Sequence, residues 1–227
     1  MNKVTAIVLA AGNGSRMKSR TKKQFMEIKG KPLIWYSLFA FEKYGVDQII
    51  LVTGEEDIKY CRKEIVEKYD FTKVTDIVPG GKERYESVYN GLAKAKGDIV
   101  LIHDGARPLI TEDIIERSIK GAMEHGACVV GMPAKDTIKI VNSEKTITDT
   151  PNRDDVWITQ TPQSFLYELV KTAYDKLQES NDSNITDDAM VVERFTNHKV
   201  KFVEGDYANI KVTTPEDILI AELLLGN

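Results

Sequence analysis

The sequence has few of the residues on which several common functions depend. Its 227 residues include only 2 cysteines and 3 histidines. Cys61 and Cys128 lie far apart, and neither has a CxxC partner or a histidine at zinc-ligand spacing. We therefore expect two buried free thiols in a reducing cytoplasm and no metal site built from side chains.

Long hydrophobic runs and an excess of positive charge are also absent. No apolar run approaches the roughly 18 residues of a membrane span. The short run in MNKVTAIVLAAG ends in glycine, which predicts a buried strand rather than a signal peptide. Because the formal net charge is −4 at pH 7, the whole chain does not attract nucleic acid. We expect a cytoplasmic globular protein that binds neither membrane nor nucleic acid, with any anion held by local basic clusters.

Up to residue 133, apolar runs of strand length alternate with segments of helical period. The predicted strands are nearly continuous and rich in β-branched residues, as in strands covered on both faces, and they occupy 4–10, 48–53, 74–78, 98–104 and 127–133. The helices predicted between them occupy 32–44, 55–69, 84–95 and 111–126. This alternation predicts right-handed crossovers and a doubly wound, mostly parallel α/β sheet.

The pattern changes after residue 133. The segment AKDTIKIVNSEKTITDT (134–150) alternates around a polar turn, which predicts a β-hairpin. A lone hairpin is marginally stable in water, so we expect the arm (134–153) to lean on another surface, such as a second copy of the protein. The later predicted elements are helices at 163–179, 186–195 and 214–226 and a strand at 199–205. No linker or repeat is visible, so the prediction is one domain (1–227) with a protruding β-hairpin arm.

The first predicted strand leads into a basic loop with two glycines, LAAGNGSRMKSRTKKQF (9–25). A dinucleotide fingerprint needs G-x-G-x-x-G, but Met17 stands at the third glycine position. The second strand also comes too late to carry the acidic residue expected about 20 positions on. The Walker pattern G-x-x-x-x-G-K-[ST] is missing as well. The loop is then either an anion-binding turn flanked by Arg16 and Lys23 or a solvated basic loop.

Two other loops follow predicted strands. PGGKERYESVYNGL (79–92) has a Gly-Gly turn before a helix with Arg84 and Ser87, and VLIHDGARPLIT places Asp104 and Arg107 just past a central strand. Each feature alone is also compatible with an ordinary turn. Because ligands of open parallel sheets bind outside the carboxyl ends of the strands, we expect the three loops to converge on one crevice.

Seven short segments occur in a fixed order that spans nearly the whole chain: LAAGNGSRM…KQF, GGKERYESVYNGL, HDGARP, DTIK, NRDDVWITQTPQSF, TDDA and NIKVTTPED. Together they resemble the motifs of the 2-C-methyl-D-erythritol 4-phosphate cytidylyltransferases. The resemblance implies a Rossmann-like nucleotidyltransferase fold and transfer of CMP from CTP to 2-C-methyl-D-erythritol 4-phosphate. The products would be 4-diphosphocytidyl-2-C-methyl-D-erythritol and pyrophosphate, in the non-mevalonate (MEP) pathway of isoprenoid precursor synthesis. It also implies Mg²⁺, bound mainly through the CTP phosphates, and a homodimer.

The resemblance assigns roles to residues of these segments. The catalytic residues would be Arg16 and Lys23 along the triphosphate and Arg153 and Lys211 at the attacking phosphate. The nucleotide would be wrapped by Ala10, Ala11, Gly12, Gly14, Gly80, Gly81 and Ser87. The acceptor would be framed by Asp104, Arg107, Thr137, Thr161 and Thr186. In the family the arm reaches across a dimer, so Thr137 and Arg153 would serve the neighbouring site.

The basic residues suit this reaction. Both reactants are polyanions, and two unit charges about 4 Å apart repel by roughly 4 kcal/mol at an effective dielectric of about 20. The nucleophile is already a phosphate oxyanion, so no Ser, Cys or His base is required. The work left to the protein is in-line positioning and stabilisation of charge at the α-phosphorus and on pyrophosphate.

Two positions depart from the family pattern. Lys22 replaces the proline that usually precedes the catalytic lysine, which removes a rigid φ and adds a cation. We expect Lys22 to be solvated, like Lys18 and Arg20. Gly105 replaces an alanine, which we expect to relax the turn.

Other functions remain open at this point. The nearest alternative is a ribitol-5-phosphate cytidylyltransferase, although DTIK and NRDDVW favour methylerythritol phosphate because they lie in the arm that touches the acceptor. A nucleotide-binding regulator without turnover is disfavoured by the presence of all the catalytic cations, and a nicotinamide oxidoreductase by the missing third glycine.

Overall fold

A computed structural model of the chain describes residues 2–12, 17, 21–180 and 182–226. Two predicted site residues, Gly14 and Arg16, lie outside the described residues, as do Lys18 and Arg20. The roles expected for them therefore stay predictions.

The described residues form strands and helices close to those predicted. In chain order these are β1 (Val4–Ala10), β2 (Glu27–Ile28), β3 (Lys31–Pro32), α1 (Leu33–Lys43), β4 (Gln48–Thr53), α2 (Ile58–Tyr60, continued by a π-helical segment, Cys61–Glu67), β5 (Val74–Pro79), α3 (Arg84–Leu92), β6 (Ile99–Asp104), α4 (Glu112–His125), β7 (Ala127–Pro133), β8 (Ile140–Val141), β9 (Ile147–Asp149), β10 (Trp157–Leu166), α5 (Tyr167–Glu179), α6 (Asp188–Thr196), β11 (Lys201–Glu204) and α7 (Pro215–Leu224).

The central sheet, as far as the described residues go, has the strand order β11-β7-β10-β6-β1-β4-β5. Strand β10 runs antiparallel to β6 and β7, and the other adjacent pairs run parallel. The predicted doubly wound, mostly parallel α/β sheet is confirmed. The chain moves outward from β1 to β4 and β5, then returns to β6 on the other side of β1. The carboxyl ends of β1 and β6 therefore form the switch point where such sheets bind ligands.

The two faces of the sheet are each covered by helices, which explains the continuous apolar runs of the strands. Val8 and Leu51 point to one face, where they join a core with Phe41 of α1. The strand residues next to these, Ile7 and Ile50, point to the other face. There they pack with Val88 of α3, Val170 of α5 and Val191 of α6.

Strand β10 corrects the helix predicted at 163–179. The segment Gln163–Leu166 pairs with β6 on one side, and its Phe165 side chain is fully buried. Helix α5 begins only at Tyr167. Because these four residues alternate little and precede a strong helical pattern, the sequence predicts them as the first turn of the helix. They form a strand because they pair with β6 on one side and β7 on the other.

The predicted hairpin is present as the antiparallel pair β8 and β9. Its apolar side chains Ile140, Val141 and Ile147 are about half exposed or more, at 49%, 50% and 58%. The rest of the described chain therefore leaves this arm largely uncovered, and its predicted role in dimerisation stays a prediction.

Both cysteines are free and buried, as predicted. Burial raises the pKa of Cys61 to about 11 and that of Cys128 to about 12, so both stay protonated thiols. Among the helices of the described residues, none combines the length and the hydrophobicity that crossing a membrane would require.

Candidate active site

Two adjoining clefts open at the carboxyl ends of β1 and β6. The first, called the nucleotide cleft after the ligand that the resemblance predicts for it, has a volume of about 260 Å³, and the predicted residues on its wall are Ala10, Ala11, Gly12, Lys23, Gly81, Ser87, Asp104 and Lys211. The second, called the acceptor cleft for the same reason, has a volume of about 300 Å³, and the predicted residues on its wall are Asp104, Arg107, Thr161, Thr186 and Lys211. Both clefts are also lined by Arg84. The structure thus brings together residues as distant in the chain as Ala10 and Lys211.

The floor of the nucleotide cleft is set by the loop after β1. Gln24 is almost fully buried, and its Nε2 donates to the carbonyl of Ala10 at 2.7 Å. This bond ties the end of β1 to the 3₁₀ turn Lys23–Phe25, which places Lys23 on the wall of the cleft. No described atom lies within 4 Å of the point where a Cβ on Gly12 would stand, so backbone at Gly12 is open to a ligand.

The Gly80–Gly81 turn packs directly against the loop after β1. A Cβ on Gly80 would lie 2.4 Å from Cβ of Ala11, and one on Gly81 would lie 2.2 Å from Cβ of Glu86. Only glycine fits both positions without a shift of backbone. Gly80 itself lines a shallow depression next to the nucleotide cleft, together with Ala11, Gly12 and Gly81.

Ser87 shapes this turn from the first part of α3. Its Oγ accepts a hydrogen bond from the N–H of Gly81 at 3.0 Å and lies 3.3 Å from the carbonyl of Glu83. The Glu86 carboxylate accepts from the N–H groups of Lys82 and Glu83, which completes a capping box. Contact between Ser87 and a nucleotide stays a prediction, whereas its support of the turn is visible.

Asp104, the last residue of β6, stands at the boundary of the two clefts. Its Oδ2 lies 2.7 Å from Nζ of Lys211, and its Oδ1 lies 3.6 Å from Nε of Arg84. Burial alone would raise the pKa of Asp104, but Arg84, Lys211 and Arg107 outweigh burial and hold it well below its ordinary value. The carboxylate is therefore ionised throughout the physiological range and fixes the two cations beside it.

Buried hydrogen bonds through Thr161 and His103 fix the backbone at Asp104. The N–H of Asp104 donates to Oγ1 of Thr161 at 3.1 Å, and that hydroxyl lies 3.0 Å from Nδ1 of His103. Nε2 of His103 lies 3.2 Å from the carbonyl of Arg107. A neutral ring with its proton on Nε2 satisfies both contacts. Burial lowers the pKa of His103 to about 4, in agreement with this neutral form.

Arg107 and Thr186 lie on the acceptor side. Nη1 of Arg107 donates to the carbonyl of Asn209 at 2.7 Å, so the loop that leads to Lys211 is anchored beneath the acceptor cleft. Burial lowers the pKa of Arg107. Thr186 is exposed on the cleft wall, just before α6.

Thr137 and Arg153 lie on the arm, and neither is on the wall of the two clefts of its own chain. Arg153 is exposed, with Nη1 3.4 Å from the carbonyl of Lys135. The contribution of these two residues to the site of a neighbouring subunit stays a prediction.

The two positions that depart from the family pattern both have structural roles. Lys22 is not freely solvated: its ammonium group pairs with the carboxylates of Glu56 and Asp57. The hydrogen bonds that Lys22 donates to these carboxylates, to Asp57 first and then to Glu56, raise the pKa of Lys22. At Gly105 the backbone φ is not positive, and a Cβ there would lie 2.3 Å from Cδ1 of Ile34. This glycine therefore leaves room for the Ile34 side chain, and the expectation that it relaxes the turn stays a prediction.

Arg84 is the main site residue that the sequence did not single out for a role. It follows the Gly-Gly turn, which was a usable signal, but its importance depends on partners from distant segments. Asp188, the first residue of α6, is the second such residue. It is fully buried beneath Arg84.

Comparison with known proteins gives one consistent result. The family model described as IspD: 2-C-methyl-D-erythritol 4-phosphate cytidylyltransferase matches residues 4–227. The chain is 51% identical over 226 residues to the protein of that name from Lachnoclostridium phytofermentans, with 99% of this chain and 97% of the relative covered. It is 48% identical over 228 residues to the one from Alkaliphilus oremlandii, with 99% and 96% covered.

Solved structures agree with the sequence relatives. The 4-diphosphocytidyl-2C-methyl-D-erythritol synthase from Anaerococcus prevotii superimposes with a TM-score of 0.87 at 35% identity, covering 100% of this chain and 97% of that one. The 2-C-methyl-D-erythritol 4-phosphate cytidylyltransferase from Francisella tularensis gives a TM-score of 0.81 at 27% identity, covering 97% and 99%. The chain belongs to the 2-C-methyl-D-erythritol 4-phosphate cytidylyltransferase family.

Proposed function

We propose that this chain transfers CMP from CTP to 2-C-methyl-D-erythritol 4-phosphate and releases pyrophosphate. The observation that carries the proposal is the junction of the two clefts, where Arg84, Asp104 and Lys211 line both. Two polyanions, one in each cleft, would meet beside fixed cations there.

On the nucleotide side, the exposed backbone at Gly12 and the Gly80–Gly81 turn would receive CTP. Lys23 on the same wall would lie along the triphosphate and stabilise the negative charge that builds at the α-phosphorus. Arg16 is proposed for the same role from the family resemblance.

On the acceptor side, Lys211 would bind the phosphate of the attacking alcohol phosphate. Asp104 already holds the ammonium group at 2.7 Å. An ammonium group has three donors, so Lys211 can bind phosphate without leaving Asp104. Arg107, Thr161 and Thr186 would frame the methylerythritol part.

The reaction needs positioning rather than a protein base. An oxygen of the acceptor phosphate attacks the α-phosphorus of CTP, and the bond from that phosphorus to the bridging oxygen of pyrophosphate breaks in line. The electron pair leaves with pyrophosphate, and no proton has to be removed from the nucleophile. Lys23 and Lys211 lower the barrier by stabilising charge and by fixing the two reactants.

The residues present are compatible with a magnesium ion held mainly by the nucleotide. Among the described residues, no group of three metal-ligating side chains comes together. Of the two carboxylates on the nucleotide cleft, Glu83 caps α3 and Asp104 pairs with Lys211. Mg²⁺ binds substrate phosphates and keeps several waters, so Asp104 would at most add one contact. When bound, the ion would neutralise phosphate charge.

We further propose that the arm completes the site of a neighbouring subunit in a homodimer. The support is the exposure of its apolar side chains together with the absence of Thr137 and Arg153 from both clefts of their own chain.

The decisive experiment is a pyrophosphate-release assay with CTP and each of two acceptors, 2-C-methyl-D-erythritol 4-phosphate and ribitol 5-phosphate. We expect turnover with the first and little with the second. Turnover with ribitol 5-phosphate alone would overturn the proposed acceptor, and CTP binding without any product would overturn catalysis.

A further inference from the structure

We infer that Asp188 is a positioning residue that holds Arg84 at the junction of the two clefts and so links the Gly80–Gly81 turn to the segment 186–187, which lines the acceptor cleft. This inference rests on the proposed function, because it assigns Arg84 to that reaction. The two residues are 104 positions apart in the sequence, so their contact is created by the fold.

The contact between these two residues is a complete bidentate pair. Nη1 and Nη2 of Arg84 donate to Oδ1 and Oδ2 of Asp188, each at 2.8 Å. Asp188 is fully buried, and its Oδ1 also accepts the hydroxyl of Tyr174 at 2.5 Å. Bidentate pairs of this kind fix the plane of the guanidinium group as well as its position.

The pair with Asp188 orients the guanidinium group of Arg84 toward the junction of the two clefts. With both terminal nitrogens committed to Asp188, the Nε edge of Arg84 lies 3.6 Å from Asp104. The Arg84 side chain is still 30% exposed, so the cation faces the clefts while its partner lies beneath. Burial opposes the charge on Arg84, but Asp188 and Asp104 more than compensate and raise its pKa well above its ordinary value.

The same pair connects two segments that line different clefts and would bind different substrates. Arg84 is the first residue of α3, three positions after Gly81 of the turn that lines the nucleotide cleft. Asp188 is the first residue of α6 and directly follows Thr186 and Asp187, which line the acceptor cleft. We therefore expect displacement of one segment to move the other through this bidentate, partly buried contact.

Strand β10 holds the acceptor end of this link. Nε2 of Gln163 donates to Asp187 at 3.0 Å, and its Oε1 accepts from the N–H of Ala189 at 2.9 Å. The first turn of α6 is thus fixed on both sides of Asp188, and Arg84 is docked against an anchored carboxylate rather than a mobile loop.

The test uses Asp188→Asn and Arg84→Met, alone and combined, in the full-length protein. We expect each single variant to lower kcat/KM for both CTP and the acceptor on the order of 10²-fold, as for loss of one electrostatic group. If Asp188 acts through Arg84, the combined variant loses little more than Arg84→Met alone. Multiplying losses, or lower thermal stability with unchanged kcat/KM, would overturn the inference.

Asp182→Asn is the matched control. It removes a carboxylate that lies before α6 and pairs at 2.8 Å with Arg194 on the far part of that helix, and neither residue lines the two clefts. We expect kcat/KM to stay within about twofold of the wild type, in line with the small effect of exposed pairs.

Arg84→Lys serves if Asp188→Asn does not fold, because it keeps a cation opposite the buried carboxylate but cannot form the fork. We expect at least a tenfold loss of kcat/KM for both substrates. Wild-type values in this variant would overturn the inference. A wild-type protein that is inactive with every acceptor would instead count against the proposed function.

Discussion

Lys22 extends its ammonium group to the carboxylate of Asp57, with Nζ and Oδ2 2.6 Å apart. The same ammonium group pairs with Glu56, so the residue before Lys23 is tied to the loop after β4. The backbone of Lys22 has a φ of −59°, which is the value that proline imposes. The ion pair thus holds in place a residue whose backbone already has the shape of the family's usual proline.

Lys22→Ala should lower kcat/KM about fivefold. The reason is that loss of a partly exposed ion pair reduces the free energy that keeps the loop before Lys23 ordered by about 1 kcal/mol. Lys22→Pro should retain most of the wild-type value, since its ring fixes the same φ. Steady-state kinetics measure both. Lys120→Ala, which removes an exposed pair with Glu124, is the control. Equal losses in the Ala and Pro variants would show that Lys22 does more than hold the backbone.

Lys23→Ala should reduce turnover on the order of 10²–10³-fold, as expected when one stabiliser of transition-state charge is removed. Pyrophosphate release at saturating CTP and acceptor measures this loss, and circular dichroism checks that the variant is folded. Release at close to the wild-type rate would contradict the role assigned to Lys23.

Mixing Arg153→Ala with Lys23→Ala should restore activity if the arm serves the neighbouring site. In a mixed dimer, one site combines an intact Lys23 with an intact Arg153 from the other subunit. Random exchange would recover about a quarter of the wild-type activity, because half of the dimers are mixed and each has one working site. No recovery after verified subunit exchange would argue against a shared site.

Lowering the pH from 7 to 5 should reduce the free energy of unfolding by about 2 kcal/mol through His103 alone. Its folded pKa of about 4 lies below the unfolded value of about 6.5, so the unfolded chain binds the extra proton. The associated stability is fully present above the unfolded pKa and is lost as the pH falls toward 4.

Urea unfolding at several pH values measures this effect, with His103→Gln as the comparison. The substitution lowers stability at pH 7 but should remove this part of the pH dependence. An unchanged slope between pH 7 and 5 in the variant would mean that another group titrates in this range.

Much of the fold and of the site could be predicted from local patterns. Continuous apolar runs predicted five strands of the central sheet, and the loops that follow β1, β5 and β6 were correctly placed on one crevice. This worked because side chains of parallel strands are buried on both faces and leave a strong local signal. Strand β10 was not predicted, because Gln163–Leu166 has no such signal and becomes a strand by pairing with β6 and β7.

Local sequence patterns were sufficient to predict the alternation of strands and helices, the three loops at the strand ends and the family to which the chain belongs. The ion pairs of Arg84 with Asp188, of Lys211 with Asp104 and of Lys22 with Asp57 are visible only in the folded protein. The physical reason is that secondary structure follows from neighbouring residues, whereas a charge acquires its partner, orientation and pKa only when distant segments are packed together and water is excluded around them.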